Sequence, residues 1–182
     1  MERLVERLAA ARIGATFNQY AGSELRCERL RAYLEARAGA ETVLVGEAAG
    51  YRGARVSGLA FTSERQLTGA GPAEASATIV HRVLAELGLE GSVLLWNVVP
   101  THPGTVSSNR RPSRLEVEAA RPFLEEVVDG RRVVAVGRLA EAVTGAPYVR
   151  HPAHGGAARF AQDLRAAFAT IPPRRANRAV FL

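Results

Sequence analysis

Thr42-Val43-Leu44-Val45-Gly46-Glu47-Ala48-Ala49-Gly50 decides how this chain is read, because an apolar run of strand length leads into a glycine-bracketed turn that carries one carboxylate. Three further runs share that form. Ser92-Val93-Leu94-Leu95-Trp96 ends at Asn97, Arg132-Val133-Val134-Ala135-Val136 ends at Gly137, and Tyr148-Val149 leads into His151-Pro152. Segments of helical periodicity separate the four runs, and helical crossovers make the strands they join parallel. The expected fold is α/β, a three-layer α/β/α sandwich with a central four-stranded parallel sheet. Ligands of such sheets bind beyond the carboxyl ends of the strands. Glu47, Asn97 and His151 are therefore expected to converge.

Outward from the first strand, Leu4, Val5, Leu8 and Ile13 fall at helical spacing within residues 1–13. Leu25, Leu30, Tyr33 and Leu34 do so on a second helix that Gly39 ends. Residues 46–60 are glycine-rich and read as too irregular for a helix. Helices are expected at about 73–87, 114–128, 138–143 and 156–169. There are no internal repeats or low-complexity tracts, so residues 1–182 read as one domain. Within it, residues 172–182, with Pro172, Pro173, Arg174, Arg175 and Arg178, form a basic arm that is either free or docked through its apolar end.

Hydrophobic content of 47% with 23% charge is that of a soluble globular protein. No run approaches the length of a membrane span, and residues near position 1 lack a signal peptide's apolar stretch. A cytoplasmic monomer is expected. All 24 basic residues are arginine, so Schiff-base chemistry has no side-chain amine to use. A net charge of +6 suits a polyanionic partner, although a densely charged solvated surface has the same composition. Cys27 is the single cysteine, which excludes an intrachain disulfide and a cysteine-ligated cluster. It reads as an inert core residue on a helix.

Each motif admits a functional and a plain structural reading. The Gly46 to Gly50 turn lets backbone approach a ligand, yet it is neither a Walker loop nor a dinucleotide fingerprint. Glu47 is a general base or a partner of the turn backbone. Asn97 ends an apolar strand, where its amide must find partners. Its paired donor and acceptor match the O4 and N3–H edge of a uracil, and would equally tie down the following loop. In His151-Pro152-Ala153-His154-Gly155-Gly156, the proline fixes the turn and the glycines admit an anion to the helix amides. His151 is a donor to an oxygen gaining charge or a satisfied structural imidazole. No metal is expected there, since no ligand set lies at suitable spacing, and no cofactor is expected. Ser107-Ser108-Asn109-Arg110-Arg111-Pro112-Ser113 leads into a helix capped by Ser113 with Glu116, and its hydroxyls and guanidiniums suit phosphate oxygens.

Together these motifs resemble those of the uracil-DNA glycosylase superfamily, over about residues 42–168. Gly46-Glu47-Ala48-Ala49-Gly50 resembles the Gly-Glu-Ala-Pro-Gly motif of the bacterial and archaeal iron-sulfur members, and Gly58-Leu59-Ala60-Phe61 resembles the segment bearing their base-stacking aromatic. Asn97, followed by Ser108-Asn109-Arg110-Arg111-Pro112, resembles the strand-end asparagine and downstream loop, and His151-Pro152 resembles the opening of the second catalytic motif. The chain departs from the pattern in four respects. The four cluster cysteines are missing, so packing alone must hold that region. Ala48 stands where the best-known branch has its water-activating aspartate, Ala49 replaces the motif proline, and Gly155 stands where a leucine wedge enters the duplex.

The resemblance implies a monofunctional glycosylase that hydrolyses the N-glycosidic bond of uracil, or another deaminated base, in DNA during base-excision repair. A flipped base would stack on Phe61, be read by Asn97 and by backbone near Ala48, and receive a hydrogen bond at O2 from His151. Glu47 would orient water or stabilise the sugar cation. Ser108, Asn109, Arg110, Arg111, His154, Gly155 and Gly156 would meet DNA, with single-stranded or mismatched uracil preferred because the wedge is absent. The second reading is a catalytically silent module of the same fold that binds nucleic acid or abasic sites. Ala48 and Ala49 favour it. A third reading is a small-molecule α/β enzyme acting on nucleotides, which would hydrolyse free deoxyuridine or its phosphates without any need for DNA.

Overall fold

A computed structural model describes residues 2–169. The basic arm expected at 172–182 lies outside the described residues. The elements run α1 (Glu2–Ala10), α2 (Glu24–Ala36), β1 (Thr42–Ala48), α3 (Ala54–Ser57), α4 (Glu64–Thr68), α5 (Ala75–Glu86), β2 (Val93–Val99), α6 (Arg114–Val128), β3 (Arg132–Val136), α7 (Arg138–Thr144), β4 (Tyr148–Val149) and α8 (Ala157–Ala169). The four strands form one parallel sheet in the order β2-β1-β3-β4. The expected four-stranded α/β sandwich is the fold observed.

The alternation of side chains along each strand divides the core in two. Val43 and Val45 of β1 and Leu94, Trp96 and Val98 of β2 face one side, against Leu4 and Leu8 of α1, Leu30 and Leu34 of α2, and Ala120, Leu124 and Val127 of α6. Leu44, Leu95, Val134 and Val136 face the other, against Val80, Val83 and Leu84 of α5 and Phe160 and Leu164 of α8. Because both faces are covered, the strands are continuous apolar runs rather than alternating ones. Tyr33 closes the free edge of β2, its hydroxyl accepting the Leu95 N–H at 2.7 Å. No helix among the described residues is long and apolar enough to cross a membrane.

Two sequence expectations need correction, and one element went unread. Residues 46–60 are not wholly irregular, since the single-turn helix α3 occupies Ala54–Ser57 and ends on Gly58 at φ +85°. A four-residue helix leaves no periodicity to read. The short helix α4, closed by a Ser63 and Gln66 capping box, was also unassigned. Finally, β1 and β2 continue past the ends of their apolar runs, so Glu47 and Asn97 lie within strands rather than after them. Gly46 pairs with Asn97 and Ala48 with Val99, because backbone pairing continues where the hydrophobic pattern stops. Cys27 packs partly buried against the core, and burial pushes its thiol pKa up, which suits an inert residue.

Candidate active site

The chain leaves β1 on one side to form β2 and on the other to form β3, so the strand order reverses at β1. At the carboxyl ends flanking this reversal lies a cavity of about 380 Å³. That volume falls in the range of small-ligand sites, about 300–1,000 Å³. Glu47, Ala48, Phe61, Asn97, Asn109, Arg110, His151 and His154 all line it. The sequence placed each of these at the site.

Gly46 sets the floor. A Cβ on it would lie 2.7 Å from Asn97 Oδ1 and would overlap the Phe61 ring, so the absent side chain lets ring and amide meet over the strand. Asn97 is only 4% exposed and lines the cavity, and its side-chain amide has no hydrogen-bond partner among the described residues. Amides buried this deeply are ordinarily paired. An open one at a cavity wall is arranged for a ligand. Phe61 is held in the left-handed region at φ +51°, a conformation rarely adopted by a bulky residue and one that surrounding structure must impose. The buried Ser57 hydroxyl supplies part of that restraint by donating to the Thr62 carbonyl at 2.7 Å, and His81 Nε2 meets Thr62 Oγ1 at 3.1 Å.

His151 has a defined tautomer. Its Nδ1 accepts the Ala153 N–H at 3.1 Å, so that nitrogen carries no proton. Burial, reinforced by His154 and Arg150, holds its pKa below the usual imidazole value. The ring is therefore neutral, with its proton on Nε2, and this donor has no partner among the described residues. Glu47 is half-buried at the end of β1. Burial raises its carboxyl above the ordinary value, and the positive charge of Arg111 opposes that rise.

The residues expected to meet DNA have different surroundings. Asn109 accepts the Tyr51 N–H at 2.9 Å, joining the loop before α6 to the turn after β1. Arg110 forms a two-pronged pair with the buried Glu116, at 2.8 Å and 2.5 Å, so its charge is largely committed to the fold. Arg111 and Ser108 are exposed. His154, at φ +52°, and Gly155, at φ +74°, are consecutive left-handed residues on an exposed turn, whereas Gly156 is buried against the His151 carbonyl. Open space surrounds the Cα of Gly155.

Sequence reading missed Glu74, His81 and His102. Glu74 lines the cavity from the start of α5, where nothing in Ala73-Glu74-Ala75-Ser76 marks it out. His102, fully buried, lies with its two ring nitrogens 2.7 Å from the carbonyl oxygens of Ala49 and Thr105, bracing the motif turn against the loop before α6.

The model of the family described as the uracil DNA glycosylase superfamily matches residues 35–181. The crystal structure of wild-type SMUG2 from Pedobacter heparinus aligns with a TM-score of 0.66, covering 92% of this chain and 96% of that one at 12% sequence identity. At that identity the likeness is one of fold. No curated protein matches the sequence. With the family model spanning both strand-end motifs and the fold shared with SMUG2, the chain belongs to the uracil DNA glycosylase superfamily.

Proposed function

We propose that this protein is a monofunctional DNA glycosylase that releases uracil, or a base with the same hydrogen-bonding edge, from DNA. The observation that carries the reading is a pair of unpartnered groups in one cavity. They are the buried Asn97 amide and the Nε2–H of a neutral His151, set beside the Phe61 ring. Asn97 offers an acceptor to N3–H and a donor to O4, while His151 donates to O2. An unpaired buried amide rejects a base that cannot complete it, because the wrong ligand leaves a polar group unsatisfied.

In the reaction the C1′–N1 bond breaks and its electron pair moves onto the base. Water adds to C1′ and loses a proton. A preorganised donor at O2 stabilises the departing anion more than the bound ground state, which is the condition for catalysis. Glu47, at the β1 end of the cavity, orients the water or stabilises the sugar cation. With no lysine in the chain, the product is an abasic site rather than a broken strand.

The test is single-turnover excision of uracil from a single-stranded oligonucleotide by the wild type and two variants. His151→Ala removes the donor and is expected to slow excision about 100-fold or more. Asn97→Ala leaves Phe61 in place and is expected to lose both rate and preference for uracil over thymine. A His151→Ala protein of near-normal rate would contradict the assignment. Retention of uracil-bearing or abasic DNA without release of base would favour the silent binding module instead, as Ala48 in place of an aspartate suggests.

A further inference from the structure

Resting on that reading, we propose that Glu74 accepts the proton of the attacking water, a role that the sequence leaves vacant at Ala48. As C1′–N1 breaks, a water oxygen bonds to C1′ and one water proton passes to the Glu74 carboxylate. The departing base then takes up a proton through solvent, and the carboxylate is restored.

The geometry is that of a side chain with no structural employment. Glu74 is the N-cap residue of α5, yet its carboxylate makes no capping bond, and glutamate is not among the favoured capping residues. It packs on the motif turn instead. Side chains at Gly50 and Gly53 would each collide with the Glu74 carboxylate, so both glycines make room for it. No hydrogen bond or ion pair among the described residues reaches its carboxylate, so this half-buried group costs stability rather than tying segments together. Burial alone drives its carboxyl above the ordinary value, with no cation opposing the rise, whereas Arg111 opposes it at Glu47. A carboxylate of raised pKa is the better proton acceptor at neutral pH. Glu47 is then left as the anion that stabilises the sugar cation.

Glu74 also stands where water can arrive. It lies on the wall shared by the base cavity and an adjoining one of about 470 Å³, lined on its far side by Tyr51, Arg52 and Ile79. A base filling the first cavity leaves the second as a route to the carboxylate. The charged and titratable groups that line the two cavities along with Glu74 are Glu47 from β1, Arg110, Arg150, His151 and His154, together with Tyr51 and Arg52 after the motif turn, and none of the cations sits close enough to oppose the rise.

The experiment measures single-turnover excision against pH, and binding of the same uracil-bearing oligonucleotide, for wild type, Glu74→Gln, Glu74→Asp and Glu47→Gln. Glu74→Gln is expected to lose about 100-fold or more in rate and to lose the limb on which wild-type rate rises with pH. Its binding and cooperative melting should be retained. Glu74→Asp should recover part of the rate and the limb, and Glu47→Gln should keep the limb. An active wild type whose Glu74→Gln variant stays within a few-fold, limb intact, would overturn this role alone. A wild type that releases no base would overturn the glycosylase reading and this role together.

Discussion

Gly46 lacks a side chain where two others already fill the space, and the sequence could not say which. Its value as a turn residue was legible in Gly46-Glu47-Ala48-Ala49-Gly50, but its packing under the Phe61 ring and Asn97 Oδ1 depends on strand register. Gly46→Ala is expected to push the ring and amide apart, costing about 1–3 kcal/mol of stability and disproportionately more activity. Thermal melting beside excision kinetics would show this, and a fully active Gly46→Ala protein would mean that Phe61 and Asn97 do not act together. That Asn97 and His151 would meet was legible because polar residues that interrupt or follow buried parallel strands fall at the carboxyl ends of the sheet, and both line the cavity there. Glu74 was not, since one glutamate before an amphipathic helix looks like any exposed helix start. The linkage at this residue is testable separately from catalysis. A carboxyl whose folded pKa is raised contributes stability below its unfolded value and loses it as pH rises through the folded value. Glu74→Gln should therefore melt at or above the wild-type temperature at neutral pH, with the difference vanishing in acid. A marked drop in melting temperature would assign the side chain a structural purpose.

Glu116 governs how α6 is attached. The Ser113 cap with Glu116 three residues later was readable as a capping box, and both halves of it form. What the sequence did not disclose is that Glu116 also accepts Arg110, receives the Ala15 N–H at 3.3 Å and packs on Gly14, so one buried carboxylate fastens three segments. Arg110, expected as a phosphate ligand, also gives two guanidinium donors to this carboxylate, a tie the sequence did not reveal. The Arg110 hydrogen bonds are the main cause of a Glu116 pKa pulled down to about 2. A depressed carboxyl contributes its full stability above the unfolded pKa and loses it as pH falls through the folded one. Glu116→Ala should cost about 2–4 kcal/mol at neutral pH, from the lost cap, charged hydrogen bonds and buried packing. It should also flatten the acid side of the stability curve. Equal acid sensitivity in wild type and variant, measured by denaturant unfolding against pH, would refute this. Short elements such as α3 were invisible for a different reason, since one turn held by Ser57 and Gly58 has no pattern longer than its own caps.

Across the whole molecule, strand order matters more than any motif. The β2-β1-β3-β4 arrangement places the chain reversal at β1, which is why Glu47, Asn97 and His151, more than a hundred residues apart at the extremes, share one cavity. Four apolar runs at crossover spacing made that arrangement readable, because buried parallel strands are continuous in sequence. The molecule is sparse at the position where the resemblance puts a duplex-opening wedge. Gly155 is exposed on a left-handed turn with no side chain to insert. Flipping a paired base costs a few kcal/mol of unstacking that nothing at this position offsets. Uracil in single-stranded or mismatched DNA should thus be released faster than uracil paired with adenine, and equal rates would place a wedge elsewhere. The most direct measurement incubates the protein with end-labelled single-stranded and duplex oligonucleotides carrying one uracil, then treats them with alkali. Strand cleavage at the uracil only after alkali, strongest on the single strand, is the expected result. Intact oligonucleotides after alkali, with no uracil released, would contradict the glycosylase assignment.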